Sequence, residues 1–333
     1  MIQPLAVAMG DPAGIGPEII AKAWAARTHE ALPPFFAVGD VRAFARVWDG
    51  PTAAIDDPSQ AAARFDDALP ILTVADAGAI EPGAPDLSGA HCALQALELA
   101  VGLTRSGAAG ALVTGPVAKA QLYAIGFTHP GQTEFVAERC GVSADSAVMM
   151  LAGPTLRVVP VTTHIALTDV PATLSIDLIA AKARTTLRGL TKNFGIAAPR
   201  LAVSGLNPHA GEAGSIGLEE LAIIAPAVAM LQAEGLDVVG PLAADTMFHP
   251  RARAQFDAAL CMYHDQALVP IKTLHFDEGV NITLGLPIVR TSPDHGTAFG
   301  IAGQGVAEPG AMIAAIRMAS EAIGHRAVYS ACS

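Results

Sequence analysis

Three of the ten histidines in this 333-residue chain share one kind of address. His164 closes LRVVPVTTH, His209 closes LAVSGLNPH and His264 closes AALCMYH, each a few residues beyond a short apolar run that reads as a buried strand. Neutral imidazoles suit zinc and other first-row divalent ions, and three protein ligands leave a coordination position open for a substrate oxygen. In an open α/β sheet, ligands gather beyond the carboxyl ends of strands, so loops far apart in sequence can converge there. Asp245 and Asp265 stand nearby as ligands or as partners that fix histidine tautomers. A single loop histidine is more commonly a hydrogen-bonded surface or capping residue, and it is three at matching addresses that move the reading to a metal site. Cys261 beside them reads as a buried strand thiol.

Glycine-rich segments form a second group. MGDPAGIGPEI places Gly10, Gly14 and Gly16 directly after a strand, but the spacing is not G-x-G-x-x-G. A tight strand-to-helix turn with Pro17 opening the helix explains it as well as a nucleotide site does. In TGPVAK, Lys119 reads as a solvated helix lysine ahead of a phosphate contact. RTSPDHGTAFGIAGQG (290–305) gathers Asp294, His295 and Gly296 in one polar loop, where glycines let backbone approach a cofactor closely. Lys272 and Arg290 flank GVNITLG, with Asn281 between them. This small positive group would grip a phosphate and a carboxylate, arginine through its planar fork and lysine as a point charge; two ordinary surface cations are the plainer alternative.

Such groups need a scaffold to hold them. With 52% hydrophobic and 15% charged residues, the chain is too apolar for a disordered or fibrous protein and long enough for two packed units. Short runs at Pro4–Met9, Phe35–Val38, Ala111–Thr114, Leu156–Val161, Arg200–Ser204 and Ala258–Met262 read as buried strands. They alternate with helical stretches such as Cys92–Leu103 and Leu218–Glu234, which predicts an α/β fold with a mostly parallel sheet. Asp76–Ser88 and Gly126–Gly131 read as loops. Thirty-one acidic against twenty basic residues give a net charge of −11, which repels nucleic acid and anionic lipid. An anionic substrate must therefore meet a local positive pocket. The longest uncharged stretch, Ala120–Thr133, is 14 residues broken by Gly126, His129 and Pro130, too short and too polar to cross a membrane. Cys92, Cys140, Cys261 and Cys332 show no C-x-x-C spacing and read as reduced thiols. The amino terminus lacks a basic segment before its apolar run, so the expected compartment is the cytoplasm.

Taken together, MGDPAGIGPEI, TGPVAK, PGQTEF, TTHIAL, GLNPHAGE, DTMFHP, YHDQ and GVNITLGLPIVRTSPDHGTA resemble the NAD-dependent 4-hydroxythreonine-4-phosphate dehydrogenase family of pyridoxal phosphate biosynthesis, nearly end to end. The resemblance implies an isocitrate/isopropylmalate dehydrogenase-like fold, two α/β/α domains with a cleft between them, divided as residues 1–130 plus 270–333 and a central 131–269. It implies a homodimer with shared active sites. The divalent metal, zinc first with magnesium or cobalt as alternatives, would be held by His164, His209 and His264, one set being completed by the partner subunit. Substrate contacts would be Gln132, Thr133, Lys272, Asn281 and Arg290, and the coenzyme, NAD with NADP as the alternative, would meet Asp294, His295 and Gly296. The proton acceptor would be Asp245, Asp265 or Asp294. The implied reaction oxidises 4-phosphooxy-L-threonine, a small anionic phosphorylated substrate, and releases its carboxylate as carbon dioxide. One position departs: the family pattern has histidine where this chain has Gln132, which donates a hydrogen bond but cannot become cationic. That departure keeps open a related hydroxy acid, such as a sugar-acid phosphate or a cis-dihydrodiol carboxylate. From other classes, a metal-dependent hydrolase would leave the 290–305 loop idle, and a non-catalytic ligand-binding protein is the remaining alternative.

Overall fold

The structure is a computed structural model that describes residues 3–74 and 76–332. In chain order the strands are β1 (Leu5–Ala8), β2 (Phe35–Gly39), β3 (Thr52–Ile55), β4 (Leu69–Thr73), β5 (Leu112–Thr114) and β6 (Val148–Ala152). They continue as β7 (Arg157–Pro160), β8 (Leu201–Ser204), β9 (Val238–Leu242), β10 (Ala258–Cys261), β11 (Val280–Leu284) and β12 (Arg290–Pro293). The chain divides into two compact units, residues 1–144 with 286–324 and residues 145–285 with 325–333. Both expected boundaries move. The helix Gln132–Arg139 stays with the first unit because Gln132 Nε2 donates to the Gly115 carbonyl at 3.1 Å. Residues 270–285 stay with the second because β11 pairs along its length with β6, from Val280 opposite Ala152 to Leu284 opposite Val148.

In the first unit the strand order is β3-β4-β2-β1-β5-β12, all parallel. β1 and β2 are buried at every position, the mark of a parallel sheet covered on both faces, which is why they read as continuous apolar runs. The helix Leu87–Ser106 follows the loop predicted before it, capped by Asp86, whose carboxylate accepts from the Gly89 amide, and ended by Gly107 at φ 80°. Its buried stripe, Ala93, Ala96, Leu97, Ala100, Val101 and Thr104, repeats at three and four residues.

In the second unit the order is β11-β6-β7-β10-β8-β9; β6 runs antiparallel to both of its neighbours, and β7, β10, β8 and β9 are parallel. Three adjacent parallel strands therefore end on one edge, and they are the strands that precede His164, His264 and His209. Asp257 secures the start of β10: its carboxylate accepts from the Arg200 amide at 2.8 Å and from the Arg200 guanidinium at 3.2 Å. Burial pushes this carboxyl up, but the hydrogen bonds from Arg200 outweigh burial and hold it below its ordinary range. A carboxyl depressed on folding stabilises above its unfolded pKa and loses that contribution as pH falls through its folded value. Asp257→Asn is therefore expected to cost about 1–2 kcal/mol at neutral pH, the half-exposed guanidinium keeping the value low. In urea titrations, the gap to the parent should narrow as pH drops below about 4; an unchanged gap in acid would contradict the ion-pair account.

Candidate active site

The two histidines from adjacent strands β7 and β10 stand together, with the ring centroids of His164 and His264 5.6 Å apart. Both line a cavity of about 270 Å³ with Thr162, Tyr263 and Asp265. His264 is the first residue of the helix His264–Leu274, and its Nδ1 lies 2.7 Å from Asp265 Oδ1. An ionised carboxylate can only accept, so Nδ1 is the donor here, and in the neutral ring Nε2 keeps the lone pair. His209 Nδ1 lies 3.2 Å from Glu212 Oε2, within ion-pair distance. His164 and His209 also share an uncommon backbone, φ 50° and 52°, of the kind that concentrates at functional sites.

Among the described residues of one chain, no group of three His, Cys, Asp or Glu is placed to hold an ion. The three strands end at one sheet edge, and of the three histidines His164 and His264 stand together. The pair fits a divalent ion in its chemistry, two imidazoles of which one presents Nε2, and is incomplete as a donor set by itself. Of the expected carboxylates, Asp265 is engaged in orienting His264, and Asp245 lies exposed on the short helix Ala244–Met247, against the turn that carries His209. Lys272 lies two turns beyond His264 on the same helix and lines a cavity of about 420 Å³ with His264, Asp265 and Leu268. Asn281 on β11 has a buried Oδ1 that accepts no hydrogen bond. Such an atom costs about 1–3 kcal/mol unless a ligand supplies a donor.

In the first unit, Arg290 lies at the start of β12 and is 3% exposed. Its guanidinium donates to Thr114 Oγ1 at 2.8 Å and to Thr133 Oγ1 at 3.3 Å. Burial pushes its pKa down to about 10, with Glu134 pulling the other way. A cation held this far from water attracts an anion strongly. Residues 290–293, read as the head of a loop, form a strand, so the loop proper begins at Asp294. There His295 and Gly296 are exposed, and a side chain at Gly296 would meet nothing within 4 Å. The loop is tied down elsewhere: the Thr297 carbonyl accepts from the Ile15 amide at 3.0 Å, and Lys22 donates to the carbonyls of Gly305 and Ala307 at 2.8 and 2.7 Å. The glycines of residues 10–16 are used in packing. A Cβ at Gly10 would lie 2.2 Å from the Pro116 carbonyl oxygen, and one at Gly16 2.0 Å from that of Met9. The turn reading of that segment therefore holds, and its backbone is not an open phosphate cradle.

Residues 32–319 match the family model described as pyridoxal phosphate biosynthetic protein PdxA. The chain belongs to the PdxA family. It is similar to a protein of Zymomonas mobilis named 4-hydroxythreonine-4-phosphate dehydrogenase, 56% identical over 99% of this chain and 98% of the relative. Among solved structures it is similar to 4-hydroxythreonine-4-phosphate dehydrogenase from Klebsiella pneumoniae, 36% identical with a TM-score of 0.86, covering 97% of this chain and 98% of that one. A terephthalate 1,2-cis-dihydrodiol dehydrogenase from Burkholderia xenovorans is 29% identical with a TM-score of 0.67, covering 96% and 98%. The fold likeness extends to an isocitrate dehydrogenase from Methylococcus capsulatus, 13% identical, TM-score 0.52, covering 99% and 88%, so the fold is isocitrate dehydrogenase-like.

In this PdxA family member, Gln132 spends one amide proton on the Gly115 carbonyl, which ties the start of its helix to the segment that follows β5. Three side chains escaped the reading of the sequence. Thr114 bonds Arg290 from within TGPVAK, whose Lys119 is exposed. Glu18, buried on the helix Gly16–Ala25, accepts from the Ala307 amide at 3.0 Å and pairs with Lys22 at 2.8 Å, holding the far end of the 294–307 segment. Glu220 accepts from the amides of Leu206 and Asn207, just ahead of His209. The GPEIIAK spacing carries a signal for the second of these, an acid and a base at i and i+4 on one helix face.

Proposed function

We propose that the chain is a metal-assisted, NAD-dependent 4-hydroxythreonine-4-phosphate dehydrogenase acting in pyridoxal 5′-phosphate biosynthesis. The observation that carries this reading is the buried Arg290, held by Thr114 and Thr133, an anion seat in a strongly acidic chain. It is supported by the names of relatives that match from end to end. Arg290 would seat one anionic group of 4-phosphooxy-L-threonine, and Lys272 and Asn281 Oδ1, in the second unit, are the further contacts that the resemblance implies. The substrate's hydroxyl oxygen gives its proton to a carboxylate, and the hydride on the carbon that bears it would pass to NAD, which residues 294–296 would hold. With Asp265 engaged by His264, Asp245 or Asp294 takes the part of proton acceptor. The β-keto acid then loses carbon dioxide, the electrons of the broken bond passing to the ketone oxygen before protonation, to leave 3-amino-2-oxopropyl phosphate. A divalent ion, zinc in the first place, supplies positive charge beside that oxygen when bound. His164 and His264 of one copy and His209 of a second would hold it, which makes the active unit a homodimer.

The test is direct: purified protein, 4-phosphooxy-L-threonine, NAD and a divalent ion should yield NADH and carbon dioxide in equal amounts, with chelator abolishing both. NADP run in parallel sets the coenzyme preference. Gln132 favours a second reading, the same oxidation on a related hydroxy acid. A protein inert toward the phosphorylated threonine but active on a cis-dihydrodiol carboxylate or a sugar-acid phosphate would establish that reading and overturn the first.

A further inference from the structure

The backbone that carries His209 is a short left-handed turn. His209, Ala210, Gly211, Glu212 and Ala213 lie at φ 52, 51, 78, 43 and 54° with ψ between 0 and 55°, and Gly214 follows at φ 94°. Four of the five are L-residues with a Cβ, for which each such conformation is unfavourable, and runs of them do not persist unless the surroundings enforce them.

The surroundings here centre on one carboxylate. Glu220 is 2% exposed and opens a π-helical turn, Glu220–Ile224, ahead of the helix Ala225–Ala233, a rare geometry that recurs at functional sites. Its Oε1 accepts from the amides of Leu206 and Asn207, both at 2.7 Å, and its Oε2 from Asn207 Nδ2 at 2.9 Å. Asn207 Nδ2 also donates to Glu219 Oε2 at 2.7 Å. The chain closes around this group through glycines: a Cβ at Gly211 would lie 2.6 Å from Glu220 Oε2, and one at Gly205 3.0 Å from Oε1. A carboxylate buried on amide donors is a costly device. What it fixes is the two residues that enter the turn, and through them the direction of His209.

We propose that Glu220 is the positioning residue of the His209 turn, its buried carboxylate locking Leu206 and Asn207 so that the imidazole is presented in one orientation. The proposal rests on the reading of His209 as a ligand of a divalent ion. Glu220 touches neither the ion nor the substrate; it acts through Asn207 and the backbone.

The experiment compares full-length parent, Glu220→Gln, Glu220→Ala and His209→Ala by two readouts. The first is amide hydrogen exchange over residues 205–214, without metal. The second is visible-absorption titration of the metal-stripped proteins with Co²⁺. Glu220→Ala is expected to speed exchange at Leu206 and Asn207 about tenfold or more and to weaken Co²⁺ binding by about 10–100-fold. Glu220→Gln should fall between, because its oxygen can still serve both backbone amides while its NH₂ faces the Asn207 NH₂. If Glu220→Ala fails to fold, Glu220→Gln decides alone. Parent-like exchange and Co²⁺ affinity in the Glu220 variants would overturn the proposal. So would faster exchange with undiminished affinity while His209→Ala loses binding, since Glu220 would then serve the fold alone. If His209→Ala itself binds Co²⁺ like the parent, the ligand reading fails and the orientation claim falls with it; faster exchange would then mark a lock on the turn alone.

Discussion

His264→Ala is expected to lower turnover by about three orders of magnitude or more and to remove most of the bound divalent ion, while the thermal midpoint moves little. The size follows from the several kcal/mol that a Lewis acid contributes beside a developing negative charge, each 1.36 kcal/mol being about tenfold in rate. The small effect on folding follows from position. His264 is the first residue of its helix, is partly exposed, and its Nδ1 hydrogen bond goes to Asp265, which is itself exposed. Asp265→Asn should cost less, about 10–100-fold in metal affinity, because it loosens the tautomer and leaves the ligand in place. Sharing across a dimer makes a sharper test. If one site takes His164 and His264 from one copy and His209 from the other, a heterodimer of His264→Ala and His209→Ala has one site with both lesions and one with neither. Randomly exchanged, equal mixtures of the two inactive variants should recover about a quarter of parental activity. No recovery with subunit exchange demonstrated would refute the shared site, and full activity of metal-depleted His264→Ala would refute the ligand assignment.

Why some of this was legible from residues alone, and some was not, is a matter of where the determining interactions lie. β1, β2, β5, β7, β8 and β10 announce themselves because a strand buried on both faces must be apolar throughout, and glycine, proline or polar turn residues follow them. β12 hides because its residues Arg290, Thr291 and Ser292 are polar yet buried, satisfied by partners far away in sequence, as where Thr291 Oγ1 donates to the Ala315 carbonyl at 2.9 Å. β11 hides because Asn281 and Thr283 interrupt its apolar residues, while its pairing is with β6, distant in sequence. The histidine addresses follow from the strands and so were visible; whether the loops meet within one chain is set by the turns that follow each strand. The left-handed turn at 209–213 had only a weak local signal in His209, Gly211 and Gly214, since alanine and glutamate do not ask for positive φ, and the residue that enforces it lies thirteen positions beyond Asn207.

Arg290→Ala is expected to reduce kcat/KM by roughly 30-fold or more, the equivalent of about 2–5 kcal/mol for removing one partner from a desolvated ion contact. Arg290→Lys should recover only part, because an ammonium cannot reproduce the fork that spans Thr114 and Thr133. Stability should move the other way. Burial already pushes the guanidinium pKa down to about 10, so the ligand-free protein carries the cost of a desolvated charge, and Arg290→Met should fold at least as stably as the parent. Loss of activity without loss of stability separates a binding residue from a structural one. The KM for NAD should be unchanged in all three variants; a rise confined to NAD would place Arg290 in the coenzyme site. Which anion it grips is decided by comparing 4-phosphooxy-L-threonine with 4-hydroxy-L-threonine. If Arg290 holds the phosphate, the penalty of Arg290→Ala largely disappears on the unphosphorylated compound. If it persists in full, Arg290 holds the carboxylate. Gln132→His completes the set: beside Thr133 an imidazolium adds charge as pH falls toward about 6, so a histidine that improves the phosphorylated substrate below neutral pH, and not above it, marks the phosphate side of the site.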